Sequence, residues 1–222
     1  MWQSVIVILG ASVAIGCSSP RIDDDSGRRA GRETGSSVLQ RGSVPLRRSE
    51  PSLNDRTSWR PVLTWPDACE EAFQNSHVGQ DAGLVFNELS PGISLVEVLC
   101  AAGSYQPSFV YVRLDERLPT PSATVLRFPV YESPDGLSIQ LAHASELWGE
   151  PSVWPGRREL TVLNLARQTA DCGIWTRYSV GDRVPEILEA RSTPCSTPPK
   201  APVLSSDGQP PSGWTSVRAR QQ

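Results

Sequence analysis

Hydrophobic and polar positions divide the chain into stretches with different patterns. An apolar run covers residues 4–16, a polar stretch continues to residue 58, and short apolar runs then recur as far as residue 197. The remaining residues are again polar and rich in proline. This pattern predicts one folded domain over residues 59–197, and about 140 residues are enough to bury a single core.

The apolar runs of this domain have the character of antiparallel strands. They carry Val, Ile and aromatic residues and are broken by Gly, Pro, Asp and Ser. We expect strands at residues 83–89, 93–100, 108–114, 124–131, 137–142, 159–166, 173–180 and 185–191. One short helix is predicted over residues 65–74, where a proline is followed by acidic residues. The expected fold is mainly β, an antiparallel β-sandwich or small barrel with one short helix.

The segments on both sides of the domain lack the large apolar side chains that would offset the entropy of ordering them. Residues 17–58 are dense in Ser, Gly, Arg and Asp and are predicted to form a disordered tether. A coil of about 40 such residues spans about 35 Å. Residues 198–222 are predicted to form an extended, disordered Pro-rich tail.

The apolar run at residues 4–16 is too short to span a bilayer and is typical of a signal peptide, predicted here as residues 1–16. It ends at a hexapeptide that resembles the bacterial lipobox, Val13-Ala14-Ile15-Gly16-Cys17-Ser18. The resemblance implies that Cys17 is acylated and becomes the first residue of the mature protein. Two or three acyl chains would anchor the protein firmly in a membrane of the cell envelope.

An uncleaved signal anchor or an incorrect start codon is the alternative to this interpretation. Residues 1–4 contain no Lys or Arg, and Ala14 stands where the lipobox prefers Leu. The sequence does not decide between the inner and the outer membrane.

The other four cysteines acquire a role if the chain is exported, because thiols pair in an oxidising compartment. Two disulfides are expected among Cys69, Cys100, Cys172 and Cys195, and three connectivities are open. Pairing each cysteine with its neighbour in sequence closes two similar loops, each worth about 3 kcal/mol. A zinc site is disfavoured because no two cysteines are close in sequence. No metal or cofactor is expected.

The net charge of −3 conceals segments of opposite sign. Residues 61–197 carry nine basic and seventeen acidic side chains, whereas residues 18–60 carry nine and six. An acidic domain repels phosphate backbones, so nucleic acid is not an expected partner. The basic tether is either a solvated spacer or a segment attracted to anionic lipid headgroups. The oligomeric state is not predicted.

Two cysteine-bearing segments carry a family resemblance. One contains Asp171-Cys172-Gly173 after a strand ending in Ala-Arg, with Cys195 and Trp214 further along, and the other runs from Leu99 to Tyr111. Over about half of the chain they are similar to the domain of unknown function 1176 family, a group of exported bacterial proteins. The resemblance implies a lipoprotein member of that family and no particular activity. Taken alone, the Asp-Cys-Gly motif is typical of a turn beside a strand.

Candidate chemistry is sparse. His77 and His143 are the two histidines of the chain, and no nucleophile elbow, phosphate-binding loop or zinc-protease motif is present. We therefore do not expect an enzyme. Trp148 and Trp154 lie in a stretch rich in Gly and Pro, which is predicted to form a rigid recognition loop over residues 148–156.

These observations favour a non-enzymatic, lipid-anchored binding module for an envelope protein or glycan. A small envelope hydrolase that uses His143 or His77 is one alternative. A protein like the bacterial lysozyme inhibitors is another, because they share the plan of lipobox, tether and small disulfide-bearing β domain. Residues 103–105, Gly-Ser-Tyr, resemble the contact loop of those inhibitors.

Overall fold

The computed structural model describes residues 55–76, 81–117, 119–132, 139–198 and 208–217. Two helices come first, and twelve strands follow. The helices are α1 (Arg56–Leu63) and α2 (Asp67–Ser76). The strands are β1 (Leu84–Ser90), β2 (Ile93–Ala101), β3 (Ser108–Asp115), β4 (Ser122–Val125), β5 (Phe128–Glu132), β6 (Gln140–Ala144), β7 (Glu146–Trp148), β8 (Glu150–Trp154), β9 (Glu159–Leu165), β10 (Gly173–Ser179), β11 (Glu186–Thr193) and β12 (Thr215–Ser216).

The strands form two five-stranded antiparallel sheets and one hairpin. The first sheet has the order β1-β2-β3-β4, and β7 also pairs with β3. The second sheet has the order β12-β11-β10-β9-β8, and β5 pairs with β6 as a separate hairpin. The expectation of a mainly β, antiparallel fold is confirmed. The sheets pack face to face as a sandwich, and no closed barrel forms among the described strands.

The interior between the two sheets follows from strand alternation. Leu95 and Tyr111 of the first sheet pack against Leu160, Val162 and Tyr178 of the second. Successive side chains of a strand point to opposite faces, so these residues define the inner face of each sheet. The outer face of the first sheet presents its other apolar set to the helices.

The helices cover that outer face. Trp59 and Leu63 of α1 and Cys69 of α2 are buried against the apolar side chains of β2 and β3. The Asp55 side chain caps α1 by accepting a hydrogen bond from the Ser58 amide, and Thr64 ends α1 in a left-handed conformation. Within the described residues, neither helix is long and apolar enough to cross a bilayer.

The described residues contain one α-helix more than the sequence predicts. Helix α2 lies close to the predicted position, whereas α1 precedes it and begins at Arg56, ahead of the predicted domain boundary at residue 59. Helix α1 contains Pro61, which makes its intrinsic propensity low. Its buried residues show that packing on the first sheet stabilises it instead.

A C-terminal segment covers part of the outer face of the second sheet. Strand β12 pairs with β11, and Trp214 is buried with Leu163 and Trp175. The Trp175 Nε1 donates a hydrogen bond to the Gly208 carbonyl at 3.1 Å. Residues 208–217 therefore belong to the folded domain, beyond the predicted end at residue 197.

The strand predicted over residues 124–131 is divided between two pairings. Strand β4 pairs with β3 of the first sheet, whereas β5 leaves it and pairs with β6. Leu126 and Phe128 are buried in the interior at the point of division. Their burial draws the chain away from the edge of the first sheet, and alternation along the sequence does not reveal this turn.

Candidate functional site

The chain crosses from one sheet to the other at Gly149. Trp148, at the end of β7, lies opposite Ser108 of the first sheet, whereas Glu150 begins β8 opposite Leu163 of the second. Gly149 has a φ of 130°, and a Cβ atom there would lie 2.3 Å from the Leu163 carbonyl oxygen. This close approach requires glycine. The crossing leaves Trp148 46% exposed.

A groove lies on the inner face of the second sheet, between the β5–β6 hairpin and β7. It has a volume of about 110 Å³. Val162 and Ile174 contribute apolar surface from the second sheet, Val130 contributes from the hairpin, and Trp148 lies at the end of β7. We call this cavity the groove. The lining therefore comes from the second sheet, from the hairpin and from β7 at the edge of the first sheet.

The polar lining of the groove contains two carboxylates and an amide. Glu132 comes from β5, Glu146 from β7 and Asn164 from β9. The Asn164 Oδ1 accepts a hydrogen bond from the Gln106 Nε2 at 3.2 Å. Gln106 is itself fixed, because its Oε1 accepts from the Leu165 amide at 3.0 Å. The Asn164 amide group is therefore held in one orientation.

Two polar groups of the lining are free to meet a ligand. Among the described residues, neither the Glu146 carboxylate nor the Asn164 Nδ2 has a hydrogen-bond or ion-pair partner. The groove lining contains no Lys, Arg or His. The groove therefore offers a hydrogen-bond acceptor and a donor in a negatively charged environment.

Hydroxyl groups lie deeper in the same groove. Tyr178 and Thr176, on one face of β10, line it, as does Tyr131 of the hairpin. Burial raises the pKa of Tyr178 well above its ordinary value, and the nearby Tyr131 raises it further, while the hydrogen bond with Thr176 opposes this shift. Tyr178 is consequently a neutral hydroxyl at physiological pH.

The two tryptophans of the predicted recognition loop are in different environments. Residues 148–156 form the end of β7, β8 and the start of a 3₁₀ helix, Pro155–Arg157, so most of the predicted loop is strand. Trp154 is half-buried, and the Arg157 guanidinium lies 5.4 Å from its ring centroid. Trp148 lines the groove, and Trp154 does not. The prediction of a loop is wrong, because β7 pairs with β3 of the first sheet and β8 pairs with β9 of the second.

The histidines do not form a catalytic arrangement in the part of the chain that the structure describes. His143 is exposed on β6, opposite Pro129. Its neighbour Ala144 lines the groove, so alternation directs His143 to the other face of the hairpin. No described hydroxyl or carboxylate is hydrogen-bonded to His143. His77 lies outside the described residues.

The predicted disulfide bonds are present. Cys69 of α2 is bonded to Cys100 of β2, and Cys172 is bonded to Cys195. Of the three open connectivities, the structure has the one that joins neighbours in sequence. These bonds indicate an oxidising compartment, extracellular or periplasmic. No cluster of His, Cys, Asp or Glu in the described ranges is arranged to hold a metal ion.

The Asp-Cys-Gly motif supports the second disulfide. The buried Asp171 accepts hydrogen bonds at its Oδ1 from the Arg167 Nε at 2.7 Å and from the Thr169 hydroxyl at 2.6 Å. Arg167 also donates to the Ser196 carbonyl at 2.8 Å, next to Cys195. These contacts hold the two cysteine-bearing segments together.

The loop with the predicted likeness to lysozyme inhibitors lies beside the groove. Tyr105 is 43% exposed, and its hydroxyl donates to the Leu165 carbonyl at 3.3 Å. Gln106 follows directly and holds Asn164 of the groove. The loop therefore extends the surface next to the groove, and inhibition of a lysozyme stays a prediction.

Sequence reasoning identified Trp148 but missed most of the groove. Glu146 and Asn164 are separated along the chain and carry no motif. Glu132 is the last residue of β5, one residue beyond the end of the strand predicted over residues 124–131. Cys17, the predicted lipidation site, lies outside the described residues. No family model, curated protein or solved structure matches the chain.

Proposed function

We propose that this chain is a lipid-anchored envelope protein whose β-sandwich binds a protein or glycan partner through the groove. The observation that carries the proposal is the groove itself, where the exposed Trp148 lies beside the unpartnered Glu146. A large apolar ring at the surface contacts water unfavourably, and a partner that covers the ring displaces this water and gains binding free energy. Polar groups that no neighbour satisfies are available to specify that partner.

The proposed anchor is the lipid on Cys17. The support comes from the sequence around Cys17 and from the two disulfides, which indicate an oxidising compartment. Membership of the domain of unknown function 1176 family is part of the same proposal and rests on the cysteine segments alone. Nothing in the groove requires a chemical reaction, so we propose binding without catalysis.

Mass spectrometry of the protein extracted from its own membrane tests the anchor. We expect an N-terminal peptide that begins at Cys17 and carries a diacylglyceryl thioether, and a Cys17→Ser variant that leaves the membrane fraction. A peptide that retains Met1, with no acyl mass, would overturn the lipoprotein proposal.

Retention on native envelope material tests the groove. The lipidated full-length chain in zwitterionic detergent is immobilised, and the bound glycan and protein of a solubilised envelope fraction are quantified. Trp148→Ala should lower retention about tenfold, since stacking and burial of one ring are worth about 1.4 kcal/mol or more. Trp154→Ala is the matched control, because Trp154 lies outside the groove. Equal retention by wild type and Trp148→Ala would refute binding at the groove.

A further inference from the structure

We propose that the groove binds one pyranose ring of an uncharged saccharide. This inference rests on the proposed binding function and names the class of ligand that the groove accepts. Three properties of the described residues carry it, namely the size of the cavity, its mixed hydrogen-bonding groups and its charge.

The size of the cavity limits the ligand to a single ring or side chain. Its volume is about 110 Å³, whereas pockets for drug-sized molecules measure roughly 300–1,000 Å³. The groove is open, with Trp148 exposed at its end. A ring of a longer chain can therefore enter while the rest of that chain continues along the surface.

Trp148 supplies a flat apolar surface at the mouth of this cavity. One face of a pyranose ring is lined by C–H groups, which pack against the π-face of an aromatic ring and displace water from both. Val162 and Ile174 offer further apolar contact from the second sheet. A ligand with one apolar face and a polar circumference fits these surfaces.

The free polar groups match hydroxyl groups better than they match ions. Glu146 is an acceptor without a partner, and the Asn164 Nδ2 is a donor without one among the described residues. A sugar hydroxyl both donates and accepts, so adjacent hydroxyls satisfy both groups. An ammonium group only donates, and it would leave the Asn164 donor unsatisfied.

Charge excludes the acidic saccharides. Glu132 and Glu146 both line the groove, and no cationic side chain joins them there. A uronic acid or sulfated ring would bring its anion next to two carboxylates, and such like-charge contacts oppose binding strongly. The two carboxylates do not repel an uncharged ring, and its hydroxyl groups can still form hydrogen bonds with Glu146 and Asn164.

Titration of the lipidated full-length chain in zwitterionic detergent tests the inference. The probes are maltotriose, the trimer of N-acetylglucosamine, trigalacturonate and trilysine, and binding is followed by calorimetry and tryptophan fluorescence. We expect at least one neutral trimer to bind about tenfold more tightly than trigalacturonate, because a like-charge contact costs more than 1.4 kcal/mol. Trp148→Ala should weaken the neutral trimer about tenfold, whereas Trp154→Ala should leave it unchanged.

Paired charge variants separate charge from shape. The double variant Glu132→Gln with Glu146→Gln keeps acceptor oxygens but removes both charges. It should bring the affinities for trigalacturonate and the neutral trimer to within about threefold of each other. Circular-dichroism melting of every variant establishes that it is folded.

The remaining outcomes overturn the inference in distinguishable ways. Trilysine binding that exceeds every saccharide would assign the groove to a cationic protein segment. If none of the four probes binds while retention of envelope material still depends on Trp148, the inference of a saccharide ligand is wrong and the proposed binding function is unaffected. If retention is also independent of Trp148, both proposals fail.

Discussion

Polar groups have different hydrogen-bonding surroundings on the helix-covered face of the first sheet and at the groove end of the second sheet. Arg56, the first residue of α1, donates to the Glu70 carboxylate at 2.8 Å and to the carbonyls of Ala82 and Leu99, each at 3.1 Å. Its guanidinium carbon lies 3.8 Å from the Phe73 ring centroid. In the groove, the Glu146 carboxylate has no such partner among the described residues.

This difference separates a structural region from a candidate binding region. A buried ion is stable only when its hydrogen bonds are made inside the protein. The hydrogen bonds of Arg56 therefore connect α1 to α2, to Ala82 just before β1 and to Leu99 near the end of β2. A polar group at an open groove is satisfied by water until a ligand replaces that water. Substitutions should accordingly affect stability at the first region and recognition at the second.

The largest expected effect is the loss of Arg56. Arg56→Ala removes the cation that pairs with Glu70 and the guanidinium donor of two carbonyls, and only the uncharged donors Trp65 Nε1 and Gln74 Nε2 remain on the Glu70 carboxylate. We therefore expect the free energy of unfolding to fall by about 3–5 kcal/mol. Urea denaturation with both disulfides intact measures this loss. Arg60→Ala is the control, because Arg60 pairs with the exposed Asp67, and such pairs contribute at most about 1 kcal/mol. A similar loss in both variants would contradict a structural role specific to Arg56.

The two disulfides should differ in their resistance to reduction. Cys69 and Cys100 are both buried under the helices, whereas Cys195 is exposed although Cys172 is buried. Reductant reaches an exposed sulfur first, so Cys172–Cys195 should open at lower dithiothreitol concentration. Each opened bond costs about 3–4 kcal/mol in the chain-entropy model. Alkylation followed by peptide mass spectrometry gives the order, and earlier labelling of Cys69 or Cys100 would contradict it.

Substitution at Gly149 should affect stability and binding together. Gly149→Ala places a Cβ within 2.3 Å of the Leu163 carbonyl oxygen, and we expect a loss of about 1–3 kcal/mol. It should also weaken binding, because β7 and Trp148 must move away from the second sheet. Gly156→Ala is the control, since no atom lies within 4 Å of the added Cβ. Melting curves and ligand titration of both variants measure the difference.

A buried carboxylate between the sheets gives a pH-dependent stability. Burial raises the pKa of Glu97, and the hydrogen bond that the Asn87 Nδ2 donates to it only partly opposes this. At a pH between the unfolded and the folded pKa, Glu97 of the folded protein therefore binds more proton than Glu97 of the unfolded chain. The resulting stability is present below the unfolded pKa and is lost as the pH rises through the folded pKa.

Replacing the Glu97 carboxylate by an amide should remove the loss of stability at higher pH. Glu97→Gln cannot ionise, so we expect it to be more stable than wild type at pH 7 and to show a flatter stability profile from the ordinary pKa range of glutamate up to pH 7. Urea denaturation across that range measures the profile. The exposed Glu88 of β1 supplies the control Glu88→Gln. A Glu97→Gln variant that is less stable than wild type at pH 7 would contradict the expected sign.

The smallest effect on stability is expected in the groove. Trp148 is 46% exposed, so Trp148→Ala should lower the free energy of unfolding by only about 1 kcal/mol. A ligand that binds the folded protein through Trp148 should raise the melting temperature of the wild type and not of this variant. A loss of stability as large as that of Arg56→Ala would show that Trp148 serves the fold.

The sequence by itself determined the class of the fold and predicted the oxidising compartment that the two disulfides indicate. Runs of Val, Ile and aromatic residues, such as those predicted as strands over residues 93–100 and 108–114, identify strands because residue type is a local property of the sequence. The structure has strands at Ile93–Ala101 and Ser108–Asp115. Four cysteines that follow a predicted signal peptide led to the prediction of two disulfides, and both bonds are present. Trp148 was recognisable as a candidate because it lies in a stretch rich in Gly and Pro, where turns keep side chains near the surface.

Only the tertiary structure decided where α1, the C-terminal segment and the groove lie. Helix α1 forms despite Pro61 because the first sheet buries its apolar side chains, and Trp214 is buried because the second sheet offers Trp175 as a neighbour. The groove joins Glu146 and Asn164 across a crossing at Gly149. Such contacts depend on which strands pair and how far the sheets overlap, and this is settled by packing of the whole domain rather than by any local run of residues.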